Sequence, residues 1–103
     1  LNPIMKGALI MTSLSNSTTD ASVQQLVEYV TNLNCPDYVN DELKNFLDSV
    51  TDWRTDVQDI EKRLAVKLAY DQLRQTVKLQ VYNYHLPMQV LHDFEDLCRD
   101  LLD

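Results

Sequence analysis

The chain has 103 residues, 45% apolar and 24% charged, with a formal charge of −7. That length fits one domain, the composition is that of a folded one, and disorder is excluded for most of it. The acidic balance argues against a general nucleic-acid or anionic-membrane binder, since both partners repel a negative surface. One glycine and three prolines leave 37–86 without a strong breaker, so the chain reads as all-α.

In chain order, Asn2 and Pro3 predict a short helix over about 3–13, weakened by Gly7. The hydroxyl-rich "TSLSNSTT" then reads as a linker, so residues 1–19 form a short helix with a polar linker and 20–103 a helical domain. The longest apolar cluster here, "ALIM", is far too short to span a bilayer or serve as a signal core, and no membrane partner is expected. Val23, Leu26, Val27, Val30 and Leu33 make the stripe of an amphipathic helix capped near Thr19 or Asp20. Pro36 ends it, because the residue before a proline avoids helical geometry.

From Val39 to Tyr84 the pattern predicts one long central helix. Leu43, Phe46, Val50, Trp53, Val57, Ile60 and Leu64 alternate spacings of three and four, the 3.5-residue repeat of a coiled-coil seam. A continuous helix over this span would be about 69 Å long. "TDVQ" at Thr55 is a competing capping signal that would break the rod near Arg54, but the seam keeps register across it and continuity is the expectation. "LAVKLAY", 64–70, is apolar on most of its circumference and predicts a zone buried all round. A corner at Pro87 leads into a last helix with a broad apolar face, Val90, Leu91, Phe94, Leu97, Cys98, Leu101 and Leu102. The expected architecture is therefore a long central helix with shorter flanking helices, an antiparallel helical bundle extending into a coiled coil.

Chemistry is sparse. Cys35 and Cys98 lie far apart with no metal-binding spacing, which points to a reducing, intracellular (cytoplasmic or nuclear) setting. His92 and Asp96, one turn apart, could offer a metal only two ligands where three or four are needed, so the expectation is no metal and a modest contact between the two. His85 belongs to the corner before Pro87. No phosphate-cradling loop or hydrolase motif occurs, and nearly every carboxylate falls on a solvent face, so neither enzyme activity nor a cofactor is expected.

Charge is zoned: residues 62–85 carry five bases against Asp71, whereas 1–61 and 86–103 are acidic. Arg63, Lys67, Arg74 and Lys78 fall within about 60° of helical arc. The corner at Pro87 would bring Asp93, Asp96 or Asp100 back beside this stripe. The expectation is a non-enzymatic protein–protein interaction module, an oligomerisation or adaptor (scaffold) domain working through the seam. Its partner would be a second copy, as dimer or tetramer, or a helical hetero-partner. The competing readings are a helical regulatory subunit that docks on an enzyme or receptor, and a nucleic-acid module using the basic stripe.

Overall fold

The computed structural model describes the backbone of residues 14–103 and side chains from Ala21 onward. The helix expected over 3–13 lies outside the described residues. Four helices follow in order: α1, Leu14–Asn32; α2, Val39–Arg54; α3, Ile60–Asn83; α4, Met88–Leu102. No strand occurs among the described residues. Residues 14–19, expected in the polar linker, are part of α1, so Asp20 lies within that helix rather than at its start.

The continuous rod from Val39 to Tyr84 does not form. The chain turns back between Arg54 and Ile60, and the largest dimension of the fold is 41 Å, shorter than the expected rod. The turn is built from side chains that satisfy backbone locally. The Thr55 hydroxyl donates to the Asp52 carbonyl at 2.6 Å. Asp59, in extended geometry, accepts from the backbone N–H groups of Glu61 and Lys62 at 2.9 and 3.3 Å. An Asp N-cap satisfies otherwise orphaned donors and contributes about 1 kcal/mol to starting a new helix. The capping signal at Thr55 marked the right neighbourhood, while the cap itself is Asp59.

The corner at Pro87 forms as expected. Pro87 occupies the N-cap, in extended conformation, and α4 starts at Met88. His85 has φ 54, and its N–H bonds to the Tyr82 carbonyl while that of Leu86 bonds to Val81. This is a Schellman ending with histidine where glycine is usual. At the end of α1, Asn34 takes the same left-handed geometry, φ 56, which asparagine tolerates better than most residues.

α3 is the spine. It packs against α2 on one side and α4 on the other, and α4 carries α1. Leu26 and Val30 of α1, Leu43, Phe46 and Val50 of α2, Leu73 and Val77 of α3, and Phe94, Cys98 and Leu101 of α4 form one core. Tyr70 joins three helices, its ring 6.0 Å from Phe46 and stacked 6.3 Å from Phe94. Such aromatic pairs add about 0.5–1.5 kcal/mol beyond area burial.

Candidate functional site

The turn at 55–59 divides the heptad seam. Leu43, Phe46 and Val50 are buried against the chain's own helices, so they are not available to a partner in this fold. Trp53 is half-buried. Val57, Ile60 and Leu64 are exposed, at 56%, 80% and 52% of their surface. Leu68, 57% exposed, continues the line at the four-residue spacing of Ile60 and Leu64, one row along a helix surface. The zone 64–70, expected to be buried all round, is buried on one side only: Val66 and Ala69 face the core, whereas Leu64, Ala65, Lys67 and Leu68 are open to solvent. Opposite them the buried face of α3 runs through Val66, Ala69, Leu73, Thr76, Val77, Gln80 and Val81.

The ridge of Val57, Ile60, Leu64 and Leu68 is thus apolar surface on the hairpin that α2 and α3 make. Sequence reasoning found its first three members and missed Leu68. The i, i+4, i+8 row of Ile60, Leu64 and Leu68 was the available signal. Beyond Leu68 the outer face of α3 turns polar with Asp71, Gln72 and Gln75, before the exposed Leu79 and Tyr82.

Beside the ridge lies a groove of about 420 Å³. It is lined by Trp53 from α2, Val57 from the turn, Arg63, Val66, Lys67 and Tyr70 of α3, and Leu102 of α4. The indole Nε1 of Trp53 is shielded from water and has no hydrogen-bond partner among the described residues. Tyr70 loses solvent here too, and that burial, with Cys98 and Glu95 nearby, raises its phenol pKa above 10.0.

Two of the four cations of the basic stripe are ion-paired within the chain. Lys67 pairs with Asp71 at 3.1 Å, Arg74 with Glu95 at 2.7 Å, and the Lys78 ammonium sits 5.7 Å from the Tyr82 ring centre. Arg63 has no ion pair among the described residues. The acidic last helix does return along α3, but the residue that crosses is Glu95, not Asp93, Asp96 or Asp100. Glu95 also receives His92, whose Nδ1 is 3.1 Å away, while Asp96 accepts from Arg99 at 3.1 Å. The expected His92–Asp96 contact is therefore replaced by one a residue closer. The Arg74 hydrogen bond holds the Glu95 carboxyl below its ordinary 4.5, with burial opposing and His92 assisting.

No group of three or more His, Cys, Asp or Glu among the described residues is placed to hold a metal ion. No helix among them is long and apolar enough to cross a membrane. Cys98 is buried, and loss of solvent, reinforced by Glu95, pushes its thiol up to about 12. Such a thiol is a packing group rather than a nucleophile. No protein-family model matches the chain, and no curated protein or solved structure matches it significantly.

Proposed function

We propose that the chain is a non-enzymatic association module, which enters a larger assembly by setting the ridge of Val57, Ile60, Leu64 and Leu68 against the same ridge of a second copy. The observation that carries this reading is Ile60, 80% exposed at the head of a straight apolar row. Fully burying a side chain of this kind stabilises by about 1.5–3 kcal/mol relative to leaving it in water. A two-fold pairing would collect that gain from both copies. The charge pattern supports a protein partner over a nucleic acid, since two of the four stripe cations are already ion-paired within the chain and the net charge is −7.

Light scattering over a concentration series tests the reading. The expected result is a mass that rises to dimer or tetramer with concentration. Ile60→Glu combined with Leu64→Glu should return it to one chain without loss of helical circular dichroism, because neither residue belongs to the core. A parent that stays at one-chain mass to millimolar concentration would end the self-association reading and leave a helical hetero-partner as the occupant of the ridge.

A further inference from the structure

Arg63, Val66, Lys67 and Tyr70 follow one another at i, i+3, i+4 and i+7 along α3, so they share one face of that helix. This face forms one side of the groove of about 420 Å³. Around the circumference of α3, Arg63 and Lys67 stand between Val66 and Tyr70 on one hand and the ridge residues Ile60 and Leu64 on the other. The remaining lining comes from Trp53, Val57 and Leu102. The Arg54 guanidinium donates to the Leu101 carbonyl, which ties the end of α2 to the end of α4 and fixes the spacing of the adjoining residues, Trp53 and Leu102. The groove is therefore preformed, and filling it needs little rearrangement of the chain.

Its size is that of a small-molecule site, since such clefts run from about 300 to 1,000 Å³. From Arg63 to Tyr70 the helix face extends about 10 Å at 1.5 Å per residue. Two of the lining side chains are charged, and both are cations, Arg63 and Lys67. In a chain of net charge −7, this is the reverse of the average surface. Arg63 forms no ion pair among the described residues. Lys67 is held by Asp71, one turn away on the same helix, with both side chains more than half in water, a weak pairing that an incoming anion can replace. Asp56 and Asp103 adjoin Val57 and Leu102 in sequence, but both are exposed and neither lines the groove, so water and salt screen them.

We propose that the groove lined by Trp53, Val57, Val66, Tyr70 and Leu102 binds a small amphipathic carboxylate, a fatty acid of medium length, whose chain covers these apolar side chains while its head group meets Arg63 and Lys67. The two parts of the ligand answer the two parts of the lining. A guanidinium presents paired N–H donors that match the two oxygens of a carboxylate, and the ammonium of Lys67 adds a second positive charge. An apolar chain gains by leaving water for the aromatic and aliphatic walls. A partner protein fits less well, because a stable protein interface takes about 800 Å² from each side and this face is about two helical turns long. The site does not depend on the association proposed above, since the cations separate it from Ile60 and Leu64 and Val57 is the one residue that borders both.

Trp53 is the sole tryptophan of the chain and lines the groove, so its emission reads occupancy. The full chain is titrated with octanoate, with acetate as the head group alone, with 1-octanol as the chain alone, and with octylammonium as the opposite charge, while light scattering follows the mass of the same samples. Octanoate should shift Trp53 emission saturably with a submillimolar midpoint, and each of the other three should need about tenfold more or should fail to saturate. Arg63→Gln with Lys67→Gln, both at exposed positions, should weaken octanoate about tenfold and leave 1-octanol unchanged. Leu102→Asn should weaken both, and helical circular dichroism checks that each variant is folded. The absence of a saturable shift at millimolar octanoate, an equal response to octylammonium, or full octanoate binding by the Arg63 and Lys67 variant would overturn the proposal. A shift confined to samples whose mass also changes would overturn it in favour of contact between copies.

Discussion

The two ends of the molecule are built on different principles. At the end where α1 meets α3 and α4, polar groups fix the geometry: Gln80 Nε2 holds the carbonyls of Leu33 and Asn34 at 2.7 and 3.0 Å, Tyr29 holds Val90, and Asn34 and His85 turn the backbone through left-handed conformations. At the hairpin end, Arg54 reaching Leu101, with Lys62 beside Asp52 at 3.6 Å, joins the elements while Val57, Ile60 and Leu64 stand in water. One end spends its specific hydrogen bonds on holding helices in place. The other holds an excess of apolar surface that its own packing does not use. Tyr82, Tyr84 and Met88 are exposed at the first end as well, so the hairpin end differs in gathering its open apolar side chains into one row, Ile60, Leu64 and Leu68.

The sharpest way to break this contrast is to shorten one side chain from each half of the original seam. Phe46→Ala removes a fully buried ring and should lower unfolding free energy by about 3–5 kcal/mol. Ile60→Ala in the single chain should change it by less than about 0.5 kcal/mol. Urea titration of both reads the difference directly, and similar losses would show that the hairpin end is covered after all.

A smaller effect is expected from Gln80→Ala. It leaves the Leu33 and Asn34 carbonyls without their donor, which should cost about 1–3 kcal/mol and loosen the end of α1 first. Hydrogen exchange at the amides of Val27 and Val30 should accelerate more than at Leu73 or Val77.

The smallest effect lies between the two ends, at Arg74 and Glu95. A carboxyl whose folded pKa lies below its ordinary 4.5 contributes stability that is present above that value and is lost as pH falls through the lower, folded value. Arg74→Met should therefore cost less than about 1 kcal/mol at pH 7, since both side chains are partly in water. Urea midpoints measured from pH 7 down to pH 3 should show the gap between parent and variant closing over the acid limb.

Much of the fold was legible. The stripes of α1 and α4 survive intact, Pro36 and Pro87 stand at corners, and the all-helical class follows from the scarcity of breakers. The hairpin was legible only as the competing capping signal at Thr55, which was outweighed because Val50, Trp53 and Val57 keep the three-and-four spacing through a turn that contains no glycine or proline. Within α3 the difficulty was a choice between two apolar stripes. Ile60 and Leu64 extend the seam, whereas the face that is buried, Val66, Ala69, Leu73 and Val77, is interrupted by Thr76 and Gln80. Those two polar residues disguise a core face because their partners come from elsewhere: Glu42 of α2 receives the Thr76 hydroxyl, and the end of α1 receives Gln80. No local pattern shows that a distant carbonyl will satisfy a buried amide. The groove has the same character, since Trp53, Tyr70 and Leu102 come from three helices and meet only after the chain has reversed twice.

The burial of Cys98 has a practical consequence. With its thiol pushed up to about 12 and enclosed by α4's packing, an alkylating reagent meets it only when the helix comes away from the others. Cys35, half-open at the bend after α1, needs far less. The pair therefore acts as a clock with two hands inside an otherwise thiol-free chain, the fast one timing the local give of a bend and the slow one timing the opening of the whole.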